Sequence, residues 1–92
     1  MAENTRSRAG HEPLRIRLSE ERHARALERE LGDLTGLGRH RLDGHWEVTI
    51  DGRLGAKVMV RVLNAVSSVL SGEVAESAVV FLDGREYQLR GD

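Results

Sequence analysis

The chain contains no cysteine. Disulfides and thiolate metal centres are therefore excluded, and its 92 residues must be held together by packing alone, near the lower limit for a domain that folds without staples. Aromatic residues are almost as scarce: Trp46, Phe81 and Tyr87 are the full set, so leucine and valine must build the core. Proline occurs once, at Pro13, and lysine once, at Lys57. No apolar run approaches the roughly 20 residues that span a bilayer, so no membrane association is expected. The polar stretch Met1–Pro13 has no apolar segment behind Arg6 and Arg8 and does not read as a secretory signal, which leaves a cytoplasmic protein as the expectation.

Charge of one sign is also lacking. Fourteen basic side chains face fifteen acidic ones, for a net charge of −1. Neither half of the chain carries the basic excess that a nucleic-acid backbone rewards, so nucleic acid is not the leading partner.

What is present is a set of clear periodicities. Residues 1–12 have none and read as a flexible tail, leaving a single α/β domain over 13–92. Leu14-Arg15-Ile16-Arg17-Leu18 alternates strictly, which predicts a half-buried strand with both arginines outward. Ser19 then reads as a helix N-cap, with Glu20 and Glu21 in the first turn where the helix dipole favours acids. Ala24, Leu27, Leu31 and Leu34 form one helical stripe, and Glu21–Arg25 and Arg29–Asp33 are spaced to pair along it.

Gly38–Leu42 is a weaker strand candidate. It is followed by the turn signal Asp43-Gly44 and an alternating strand His45–Asp51 with Trp46, Val48 and Ile50 inward. A three-residue loop, Leu42–Gly44, would pair Arg39 with Glu47 on the outer face. A two-residue loop would set Arg39 and Arg41 beside Val48 and Trp46. The first register avoids burying charge and is the one expected. It sends His40 and His45 to opposite faces.

From Leu54 to Ser71, alternating valines compete with a helical pattern. Lys57, Arg61, Asn64, Ser68 and Ser71 make one polar stripe, and the long window favours a helix ending at Gly72. Ala78–Leu82 is a continuous apolar strand. Asp83-Gly84 is a second turn signal, and Arg85–Arg90 alternates to the end. The order βαββαβ plus a further strand predicts a ferredoxin-like two-layer α/β (α+β) sandwich with an extra C-terminal hairpin strand.

In that arrangement both helices cover one sheet face. The other face would display Arg15, Arg17, Glu47, Thr49 and Asp51, joined by Arg39 and Arg41. If Val79 and Phe81 face the helices, Val80 and Leu82 face outward. A strand apolar on both sides is usually covered on both sides, so a homodimer is expected through the open face, with Arg15, Arg17, Glu47, Val80 and Leu82 in contact.

Arg39 and Arg41, at the end of the glycine-rich stretch Gly32–Gly38, are the candidate anion-binding pair. That stretch lacks the Gly-Lys-Ser/Thr of a phosphate-binding loop and runs from helix to strand, so a helix stop explains it. No histidine spacing suits a metal, His23 reads as a solvated helix residue, and neither a metal nor a cofactor is expected. Asp43, Asp51 and Asp83 each precede a turn glycine, which accounts for them without catalysis. The function expected is a non-enzymatic interaction or regulatory accessory module. The alternatives are a nucleic-acid-binding module using the outward arginines and a small ligand sensor.

Overall fold

The computed structural model describes residues 13–34, 36–51, 55–73, 76–82 and 84–91. The proposed flexible tail, residues 1–12, lies outside the described residues, as does Asp83 of the second turn signal. The elements in chain order are β1 (Leu14–Leu18), α1 (Glu21–Glu30), β2 (Leu37–Leu42), β3 (His45–Ile50), α2 (Ala56–Val69), β4 (Ser77–Leu82) and β5 (Arg85–Arg90). This is a small α+β domain. Its five strands form one sheet in the order β2-β3-β1-β4-β5, with every neighbouring pair antiparallel.

The core follows from the alternation in β1. Leu14, Ile16 and Leu18 are buried, as are Val48 and Ile50 of β3 and Ala78 and Val80 of β4. These side chains lie beneath Ala24, Leu27 and Leu31 of α1 and Val62, Ala65 and Val66 of α2. The valine-rich segment 56–69 is helical even though its N-cap, Gly55, offers no side chain to cap it. Intrinsic propensity does not favour valine in a helix; burial of one stripe against the sheet does, while Val60 on the opposite side stays exposed. Gly72, with φ +83°, ends the turn after α2 as the glycine signal required.

Three local expectations are corrected. Glu20, not Ser19, occupies the N-cap of α1, and it makes no side-chain cap. The Ser19 hydroxyl instead donates to the Glu76 carboxylate. Glu21 pairs with Arg25 at 3.0 Å as its spacing implied, but Asp33 is engaged by Arg61 of α2 rather than by Arg29.

The third correction is the register of the first hairpin. Leu42 lies opposite His45, so the loop is the two residues Asp43-Gly44, with Gly44 at φ +81°. Arg39 therefore pairs with Val48 and Arg41 with Trp46, on the helix-bearing side of the sheet. The argument against burying charge fails there because β2 is an edge strand. Both guanidiniums reach out over the Trp46 ring, 5.9 Å from its centroid, and Arg39 Nη1 donates to Glu28 of α1 at 3.0 Å. Long arginine stems can cover apolar surface while their heads remain in water.

Candidate functional site

Among the described residues, both helices pack on one face of the sheet. The register then determines what the other face carries. Arg15 and Arg17 of β1 stand beside Thr49 and Glu47 of β3 on one flank, and beside Phe81 and Val79 of β4 on the other. The expected outward placement of Arg15, Arg17 and Glu47 thus holds.

That of Val80 and Leu82 does not. Val80 lies opposite Ile16, 1% exposed, and Leu82 packs against the core. Val79 and Phe81 take the outward positions instead. The alternation of an all-apolar strand gives no phase of its own. The phase comes from pairing with β1, whose inward residues are unambiguous. Arg39 and Arg41, expected on the open face, belong to the helix side, and Arg39 is already committed to Glu28. His40 and His45 share the open face rather than dividing between the two, since the shorter loop shifts β2 by one residue.

The bare face has one electrostatic focus. Glu47 is only 7% exposed, and its Oε2 lies 3.7 Å from both Arg15 Nη1 and Arg17 Nη2. Those distances suit charge attraction and are too long for hydrogen bonds. The two guanidiniums also stack on Phe81, 4.6 and 4.8 Å from the ring centroid, well within cation–π range. Three buried polar atoms here lack a hydrogen-bond partner among the described residues: Arg17 Nε, Glu47 Oε2 and His45 Nε2. Buried polar groups are nearly always satisfied, so a cluster of three asks for something further to bind. Beside it, Pro13, Arg15, Phe81, Gly84 and Glu86 border a cleft of about 230 Å³. At the far edge, His40 Nε2 lies 3.2 Å from Thr49 Oγ1, over Gly38, where a Cβ would stand 3.2 Å from the same nitrogen.

A second group lies at the start of α1. His23 is not solvated. It is 4% exposed, with neither ring nitrogen hydrogen-bonded among the described residues. Its surroundings are acidic: Glu20, Glu73 and Glu76 converge on it from the helix start and from the segment that follows α2. Sequence spacing had no means of finding this group, because its members lie some fifty residues apart.

The chain matches no family model, no curated protein and no solved structure. Among the described residues, no helix is long and apolar enough to cross a membrane.

Proposed function

We propose that this protein is a non-enzymatic interaction module that binds a second copy of itself through the bare face of its sheet. The element order and the neighbour sequence β2-β3-β1-β4 support reading the fold as ferredoxin-like, with β5 added at the β4 edge. The helices then cover one side and leave the other to a partner. The observation that carries the proposal is the group of buried polar atoms of Arg17, His45 and Glu47 on that face that lack a hydrogen-bond partner among the described residues, next to the apolar surface of Val79 and Phe81.

A second copy suits this surface for two reasons. The face carries cations on β1 and an anion on β3, so a two-fold axis can bring the Arg15 and Arg17 of each chain toward the Glu47 of the other. The net charge of −1 leaves little repulsion between copies. Val79 and Phe81 supply apolar contact at the centre, where interfaces concentrate their binding energy.

Sedimentation velocity over a concentration series tests this. The expected result is a monomer–dimer equilibrium that Phe81→Glu shifts to monomer without loss of folded structure. A strict monomer at high micromolar concentration overturns it. The chain's own residues 1–12 are the competing occupant of the face. Removing them should leave the dimer intact, and loss of the dimer on their removal would count against the proposed contact.

One observation favours a second reading. Phe81 displayed outward between two arginines resembles the stacking platforms on which single-stranded nucleic acids lay their bases. The opposing consideration is Glu47, placed between the same arginines. Fluorescence anisotropy with single-stranded RNA and DNA at low salt distinguishes the readings, because the phosphate contribution is largest there.

A further inference from the structure

We propose that Glu20, His23 and Glu76 form a binding site for a divalent first-row transition-metal ion such as Zn²⁺, with Glu73 orienting the histidine. The site is separate from the bare sheet face and does not depend on it. One donor atom from each of the three residues lies within 4.8 Å of the others. They bring together the residue before α1, the first turn of α1 and the residue before β4, which the fold holds side by side.

The histidine is the observation that turns an acidic cluster into a site. Its ring is buried, and both nitrogens lack a hydrogen-bond partner among the described residues. Nε2 faces Glu73 Oε1 at 3.4 Å, and Nδ1 faces Glu76 Oε1 at 3.8 Å. An imidazole between two carboxylates cannot satisfy both sides with a single proton. If Nε2–H is directed at Glu73, the Nδ1 lone pair confronts the lone pairs of Glu76, and a cation is needed between them. The arrangement of carboxylate, imidazole and open lone pair is the one by which metal-binding histidines are held in tautomer and orientation.

The chain's own cation sits at the rim of the cluster rather than between His23 and Glu76. Arg22 donates to Glu20 and Glu73, at 2.7 Å in each case, and so bridges the outer rim of the cluster. Among the described residues, the Glu76 carboxylate accepts the Ser19 hydroxyl. An imidazole nitrogen with two carboxylate oxygens, completed by water, is a donor set for Zn²⁺, Mn²⁺ or Co²⁺. Ca²⁺ and Mg²⁺ prefer oxygen alone.

The test is titration of chelator-treated full-length chain with Co²⁺, followed by displacement with Zn²⁺. The expected result is one equivalent of Co²⁺ giving visible d–d absorption, lost on adding Zn²⁺, with a thermal midpoint that rises with metal concentration. Glu76→Gln and His23→Gln should abolish the signal, and Glu73→Gln should weaken binding about 10–100-fold. Since His23→Gln removes a buried group and can unfold the chain, Glu76→Gln, checked by circular dichroism, is the deciding variant. His40→Gln and His45→Gln should bind as the wild type does. The same spectrum and affinity in Glu76→Gln, loss of binding in the His40 or His45 variants, or no saturable binding at all would each overturn the site.

Discussion

Arg41 lies directly opposite Trp46 in the first hairpin, on the helix-bearing side of the sheet, and its guanidinium lies 5.9 Å from the indole. The pairing follows from a turn of only two residues, which places Gly44 at φ +81° with nothing within 4 Å of where a Cβ would be. Gly44→Ala therefore tests backbone conformation without steric interference. The expected cost is about 1–2 kcal/mol, the usual penalty for a left-handed residue with a Cβ. Gly44→Asn should recover much of it, because asparagine tolerates that region. Urea unfolding of the three proteins measures the differences.

Gly91 offers the opposite situation. Its φ is ordinary, but a Cβ there would stand 2.2 Å from the Glu73 carbonyl oxygen and 2.5 Å from that of Leu70. Both are backbone atoms that cannot rotate away. Its own N–H donates to Glu76 O at 2.9 Å, tying the end of β5 to the segment after α2. Gly91→Ala should break this tie. Amide exchange at residue 91 should accelerate strongly, with protection in β1 changed far less, because the end of an edge strand can fray without opening the core.

Much of this fold was legible in the sequence because both helices and the central strands have one apolar side with a definite period. Leu14, Ile16 and Leu18 set the phase of β1, and everything paired to β1 inherits it. What could not be read was the phase of segments with no polar alternation, or with charges at the wrong places. Val79–Leu82 is apolar throughout, so nothing in its own residues says which of them face outward. Arg39 and Arg41 look too polar for the helix side because an edge strand's freedom to extend arginines past the core is a tertiary property. The acidic surround of His23 was invisible for a related reason: Glu73 and Glu76 reach it only once α2 has returned the chain to the start of α1.

The core permits a direct comparison between burial and exposure on similar residues. Leu27 is fully buried at the centre of α1, whereas Val60 is 58% exposed on the outer side of α2. Leu27→Ala should cost about 2–5 kcal/mol, as transfer and cavity contributions combine. Val60→Ala should lie within about 0.5 kcal/mol of the wild type, because alanine's better helix propensity offsets the small apolar area that the valine methyls cover. Chemical denaturation of both variants checks the ratio. A large loss at Val60 would mean that the outer side of α2 is itself covered.

The Asp33–Arg61 contact joins the end of α1 to α2, with Asp33 Oδ2 2.8 Å from Arg61 Nη1. Hydrogen bonding to Arg61 holds the Asp33 carboxyl below its ordinary value of 3.8. A depressed folded-state value means that the contribution is fully present above the unfolded value and is lost as pH falls through the folded one. The thermal midpoint of Asp33→Asn should thus lie slightly below that of the wild type, by a constant amount from neutral pH down to about pH 4, and the gap should close at more acidic pH. Because both side chains are largely exposed, added salt should narrow the gap at neutral pH as well.

Glu47 separates a structural role from a role in association. Its carboxylate is nearly buried, but Arg15 and Arg17 are themselves 43% and 38% exposed and stand too far away for hydrogen bonds. An ion pair of that kind contributes about 0–1 kcal/mol within one chain. Glu47→Gln should accordingly leave the unfolding free energy of the monomer within about 1 kcal/mol of the wild type. At a self-associating face, the same carboxylate is the acid that stands between two cations, and its removal leaves Arg15 and Arg17 of each copy facing those of the other. The dimer should therefore weaken far more than the monomer, and restoring the balance with Arg17→Gln in the same chain should regain part of the loss. Monomer stability measured at low concentration and dimer dissociation measured by sedimentation give the two numbers independently. Equal losses in both would assign Glu47 to folding alone.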